Sequence, residues 1–294
     1  MTVADGRVVG TTKIVDRGPP SLRWNIAIMG DGYQNGQLGK YATDVAGIVN
    51  TILTTAPFDV LKQGINVFRI DVASTDAGAA DPAACGGTGA APRTYFDAKF
   101  CNNGIRRLLV VNDRTALATA SAQVPAFHLA IVLVNSLVYG GSGGAVAVLS
   151  LAAGAAEIAL HETGHTAFGL ADEYQYYAGC GVDAPGTHDR HPPGEPAQPN
   201  VTLNANRSTI KWRKLVLGAT PMPTTSNPSC TQCDLRPSPV APNVVGAFEG
   251  AHYYHCGAYR PAYDCRMRAL GFPFCAVCQD VIKRTLAPFM PRPH

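Results

Sequence analysis

Apolar residues follow two rhythms in the first half of the chain, short continuous runs and three- or four-residue spacings, and their alternation predicts strands separated by helices. Residues 24–29 (Trp-Asn-Ile-Ala-Ile-Met) form an apolar run ended by Gly30-Asp31-Gly32, which reads as a buried strand and its turn. Over 38–53, Tyr41, Val45, Ile48, Val49 and Ile52 line one face of a helix closed by Ala56-Pro57. Residues 65–72 alternate toward a second strand. Further strands are expected at 108–111 and 130–134, with a helix around 116–123 between them. A last strand at 145–150 precedes an Ala-rich helix over 151–168, which Gly169 stops. This order predicts an α/β fold with a mixed, largely parallel sheet and flanking helices.

Two stretches break the rhythm. Residues 73–104 are rich in Gly, Ala, Asp and Pro and read as a long surface loop, with Cys85 and Cys101 placed to tie it. From Tyr177 to about Pro242 the chain is Pro-rich and irregular apart from one ordered patch at 210–217. Order returns in a final helix carrying Ala276, Val277, Asp280, Val281, Arg284 and Thr285, ended by Pro288. The organisation expected is an α/β half (1–175) ending in the 151–168 helix, then a Pro- and Cys-rich half (176–294) completing the cleft of one domain overall. No internal repeat is found.

Composition narrows the function. With 24 Lys+Arg against 21 Asp+Glu the 294-residue chain has a formal charge of +3, no footprint for nucleic acid or anionic lipid. No apolar run reaches the roughly 18 residues of a membrane span, and the N-terminus lacks the basic and apolar regions of a signal peptide. Of nine cysteines, Cys230, Cys233, Cys256, Cys265, Cys275 and Cys278 lie in the last quarter, predicting disulfides or a metal cluster there. Disulfides are the preferred reading, because the 41 residues between Cys230-x-x-Cys233 and Cys275-x-x-Cys278 exceed a zinc ribbon's usual interval. Cys180 is then the cysteine left over. The expectation is a secreted, extracellular, monomeric protein whose signal is not part of this chain. Asp71, Asp76 and Asp81 can be read as a calcium (Ca2+) loop or, more plainly, as a solvated acidic turn.

The chemistry concentrates in His161-Glu162-Thr163-Gly164-His165. Residues four apart share a helix face, so two imidazoles converge on one metal ion, and Glu162 stands beside them to take a proton from an attacking water. Eight His and five Glu scattered over 294 positions would give this pentad by chance only about four times in a thousand chains. A structural zinc site would use four protein ligands and has no need of the glutamate. A catalytic zinc (Zn2+) wants a third protein ligand, and Asp172, seven residues past His165 and beyond the Gly169 reversal, is the first choice. Glu173 is the alternative, with His188, His191, His252 and His255 as longer-range candidates. Asp172-Glu173 also reads as a solvated turn or as a partner orienting a ligating imidazole.

The stretch from His161 to Tyr174 (His-Glu-Thr-Gly-His-Thr-Ala-Phe-Gly-Leu-Ala-Asp-Glu-Tyr) resembles the peptidase family that contains the clostridial immunoglobulin A metallopeptidase. The likeness also takes in Asn25 to Tyr33, Gly140 to Gly144, Pro199-Asn-Val-Thr202, Lys211-Trp212, Tyr259-Arg-Pro261, Cys265-Arg-Met267 and Phe274-Cys-Ala-Val-Cys278. It implies a secreted bacterial zinc endopeptidase acting on protein or peptide, with a metzincin-like fold. In metzincins a glycine follows the second His by three residues and a third ligand by six; here Gly169 and Asp172 each come one later. One helical residue turns about 100°, so the metzincin position is not copied directly. Met267 is the natural candidate for a methionine turn, its plainer reading being an ordinary buried Met. By resemblance Tyr259 is a candidate donor to the oxyanion, for which Tyr253, Tyr254 or His252 would serve equally in chemistry. The likeness implies peptide-bond chemistry and not immunoglobulin A as a substrate, which cleft loops would set.

Other signals weigh less. Gly140-Gly-Ser142-Gly-Gly144 fits G-x-S-x-G but lacks the strand before and helix after that a nucleophile elbow needs. It reads as a flexible loop beside an edge strand at 145–150, whose free backbone could pair with an extended substrate. Gly30-Asp31-Gly32 lacks the third glycine of a dinucleotide fingerprint, Asn35 standing there. Two other functions share these residues: a binding or adhesion module with a vestigial metal site, and a zinc amidase acting on a non-protein amide.

Overall fold

The computed structural model describes residues 5–176, 179–182 and 186–291. The expected start of the irregular stretch, Tyr177, lies outside them. The chain forms two compact units, Met1–Ala167 with Leu286–His294, and Phe168–Thr285.

The first unit is built on a six-stranded sheet. In chain order come β1 (Gly6–Val15), β2 (Trp24–Asp31), α1 (Leu38–Thr54), the single turn α2 (Phe58–Leu61), β3 (Ile65–Ser74), α3 (Asp113–Gln123), β4 (Leu129–Val134), β5 (Gly141–Ser142), β6 (Ala147–Ser150) and α4 (Ala155–Phe168). The strand order is β1-β3-β2-β4-β6-β5. β3, β2, β4 and β6 run parallel, while β1 and β5 close the two edges antiparallel. The α/β, largely parallel expectation holds. Every residue of β2 is buried, as a central parallel strand covered on both faces should be. Ala27 and Met29 pack with Ile70, Val72, Val132 and Val134, and with Ala116 and Ala120 of α3. The pleat sends Ile26 and Ile28 to the other face; Tyr41 of α1 donates its hydroxyl to the Ile28 carbonyl.

Asp31 ends β2 and organises the loop that follows β3. Its carboxylate accepts from the Phe96 and Ala98 amides and from the Thr94 and Ser74 hydroxyls. Cys85–Cys101 ties the same loop.

Three expectations change here. Residues 108–111 are not a strand: Leu108 and Val110 make only isolated bridges, to Gly141 and Lys99, which do not extend into a ladder. The stretch 145–150 is not the sheet edge, since Gly141 and Ser142 pair with Leu149 and Val148. Asp71, Asp76 and Asp81 each pair with a different arginine, Arg69, Arg93 and Arg106, and among the described residues neither metal-ligating group includes them, which removes the calcium reading. Strand β1, half-exposed along its length, was not expected at all.

The second unit carries β7 (Phe248–Ala251), β8 (Tyr254–Arg260) and α5 (Ala276–Leu286). β7 and β8 pair antiparallel across His252 and Tyr253, both at positive φ (55° and 72°), the twist a tight hairpin requires. The expected patch at 210–217 is a short 3-10 turn, Arg213–Leu215; Trp212 beside it donates its indole N–H to Gly246. Cys180–Cys233 and Cys230–Cys256 cross-link the unit. Cys180 is therefore paired, and Cys230 and Cys233 each have their own disulfide partner instead of joining Cys275 and Cys278. Those two and Cys265 are the free, buried thiols. Among the described residues no helix is long and apolar enough to cross a membrane.

Candidate metal centre

Helix α4 forms because Ala155, Ala156, Ala159 and Leu160 favour it, and Glu157 in its first turn meets the positive end of the helix dipole. Gly154 (φ +85°) precedes it and Gly169 (φ +61°) ends it. Ile158, Ala159, Leu160 and Thr163 are buried, which leaves His161, Glu162 and His165 on the partly open face. The two imidazoles stand edge to face, centroids 4.8 Å apart, with Nε2 atoms 3.1 Å from one another. Two nitrogens on one tetrahedral zinc at about 2.05 Å would be about 3.3 Å apart, so the pair fits one ion.

The glycine pentad lies against this face. A Cβ on Gly143 would fall 2.6 Å from His165 Cβ and 3.0 Å from Glu162 Oε2, and one on Gly141 would fall 3.2 Å from Glu162 Oε1. Close approach to the helix therefore explains these glycines, beyond loop flexibility. Ser142 donates its hydroxyl to the Leu109 carbonyl at 2.6 Å, which occupies it in holding the loop.

Past Gly169 the chain has no regular secondary structure and is gripped by its own unit. Asn200 accepts from the Ala171 amide and donates to the Ala171 carbonyl and to Glu173 Oε1. The Glu173 amide donates to Met267, buried in the turn after Cys265, and the His252 amide donates to the Asp172 carbonyl. The Asp172 carboxylate, itself buried, accepts from Tyr253 (2.6 Å) and Tyr174 (2.9 Å) at Oδ2. Burial, then the Asp172 charge, pushes the Tyr253 phenol far above its usual range, so it remains a donor. In the stretch from His161 to Asp172, the two imidazoles and the Asp172 carboxylate place one ligand atom each within 4.8 Å of one another.

Glu173 and four further histidines make contacts within the second unit. Glu173 is fully buried beside Cys265, Cys275 and Cys278, and burial pushes its carboxyl well above the usual range. His191 Nε2 meets His252 Nδ1 at 2.9 Å, His188 lies against Tyr254, and the His255 amide donates to the His188 carbonyl. Tyr259 sits on β8, its backbone paired with Glu249 and Thr202, and burial raises its phenol. What Asn200 and Tyr253 do here, holding the Asp172 stretch, escapes a reading by motif: the Asn200 contact bridges 29 residues and the Tyr253 contact 81.

A family model described as IgA Peptidase M64 matches residues 12–234 and 231–286. No curated protein matches the chain.

Proposed function

The chain belongs to the IgA Peptidase M64 family, hence is a peptidase acting on protein or peptide, and from that premise we propose a secreted, zinc-dependent endopeptidase. The observation that carries the reading is the pair of imidazoles with Nε2 atoms 3.1 Å apart on α4, flanking Glu162. His161, His165 and Asp172 would hold the ion, a two-nitrogen, one-oxygen donor set typical of catalytic zinc. When bound, zinc supplies Lewis-acid polarisation of the scissile carbonyl and of the attacking water. Glu162 takes the proton of that water and returns it to the leaving amine, so no covalent acyl-enzyme forms. Tyr253 and Tyr174 orient Asp172. Tyr259 donates a hydrogen bond to the developing oxyanion, a role that rests on resemblance. Three disulfides support an oxidising, extracellular setting.

The test is cleavage of unfolded casein by the full chain before and after chelation. The proposal expects hydrolysis that a chelator abolishes and zinc restores. No cleavage by the zinc-loaded chain would favour a binding module, and cleavage of non-protein amides alone would favour an amidase.

A further inference from the structure

Three cysteines remain unpaired in a chain whose other six are cross-linked, and all three meet one carboxylate. Glu173 comes from the irregular stretch after α4, Cys265 opens the Met267 turn, Cys275 immediately precedes α5 and Cys278 lies in its first turn. All four side chains are buried, and their ligand atoms lie within 4.8 Å of one another. We propose that these residues form a second, structural zinc site, Cys265, Cys275, Cys278 and Glu173 being its four ligands.

The spacings suit that ion. Cys265 Sγ and Cys278 Sγ are 3.8 Å apart, and two sulfurs about 2.3 Å from a tetrahedral zinc would be separated by about 3.8 Å. Cys278 Sγ lies 3.3 Å from Glu173 Oε1, against about 3.5 Å for a sulfur and an oxygen on one zinc. Cys275-x-x-Cys278 is a common metal-ligating pair, and at a helix N-terminus the dipole favours thiolate. The Cys275 amide points at Cys265 Sγ, 3.3 Å away, as an N–H does toward a ligating sulfur.

Two plainer accounts leave a remainder. A disulfide needs sulfurs about 2.05 Å apart, and any pairing would strand the third thiol. Three thiols acting as small apolar side chains would not place a carboxylate among them. Glu173 Oε2 is buried with no hydrogen-bond partner, while Oε1 accepts only from Asn200 and Cys278, a cost of burial that a cation relieves. Soft thiolates select zinc over calcium or magnesium, and four protein ligands leave no open position, the mark of a structural site. The buried Arg260 guanidinium acts on the same carboxylate and offsets part of the ligands' excess negative charge. The ion would staple the irregular stretch after α4 to the Met267 turn and the start of α5, and Glu173 would fix its neighbour Asp172.

The inference does not rest on the peptidase reading, and its test separates the two. Zinc is counted by elemental analysis on the full chain, on His161→Ala/His165→Ala, and on Cys275→Ser/Cys278→Ser, with cobalt spectra of the histidine variant. Expected are two zinc ions in the wild type and one in the histidine variant, whose cobalt form shows thiolate-to-metal charge transfer. Because the cysteine variant can fail to fold, the intact mass of the denatured wild type is a further measure: three disulfides and three alkylatable thiols are expected. A histidine variant without zinc, cobalt absorption without thiolate character, or a fourth disulfide would overturn the site. One zinc in both the wild type and the histidine variant would instead count against the α4 site.

Discussion

A single methyl group on Gly143 tests whether the glycine loop keeps the α4 histidine and glutamate in place. The added Cβ would meet His165 Cβ at 2.6 Å and Glu162 Oε2 at 3.0 Å. The carboxylate is the end of a flexible side chain and can swing aside, but His165 Cβ is fixed to the helix backbone. Restoring an ordinary contact of about 3.7 Å requires His165 or the loop to move by about 1 Å. Overpacking of this kind costs about 1–3 kcal/mol of stability, and about 1 Å of misplacement at a reacting centre costs on the order of 10²-fold in rate. Gly144 is the control, because a Cβ there meets nothing within 4 Å. The assay is kcat/KM on casein-derived fluorogenic peptides together with zinc content and Tm. Gly143→Ala is expected to lose about 10²-fold in kcat/KM while Gly144→Ala stays within twofold of the parent. Equal activity in the two variants would refute the reasoning.

Tyr253→Phe removes the shorter of two phenol contacts to Asp172 and should weaken zinc affinity by about 10- to 100-fold with the fold intact, measured by competition with a chromogenic chelator. Tyr259→Phe should lower kcat by about 10²–10³-fold with zinc content unchanged if its phenol meets the oxyanion; unaltered kcat removes that assignment. Asp31→Ala strands four donors, the Ser74 hydroxyl at the end of β3 and those of Thr94, Phe96 and Ala98 in the loop after it, and should destabilise the chain by about 3–5 kcal/mol in urea unfolding.

How much of this was legible depends on how local each determinant is. β2, α1 and α4 announce themselves through continuous or periodic apolar positions that fold against near neighbours. β1 does not, because its pairing to β3 leaves it half-exposed and its alternation is diluted by polar residues. The β7–β8 hairpin turns through His252 and Tyr253 at positive φ, where the glycine or asparagine of an ordinary turn signal is missing. At the candidate centre, the i, i+4 imidazoles are written into one helical turn. Their supports are not: Asn200, Met267 and Tyr253 reach the Asp172 stretch only through the fold of the second unit, and Glu173 meets Cys265, Cys275 and Cys278 from far away in sequence. The glycine pentad was visible as composition, yet its reason, the close approach of Gly143 to His165, is tertiary.

The central claim is that a carboxylate on α4 moves a proton without holding the ion. Glu162→Ala, purified as the full chain, should keep the parent's zinc content by elemental analysis while peptide hydrolysis falls to background. Hydrolysis retained in that variant at full zinc content would contradict the account.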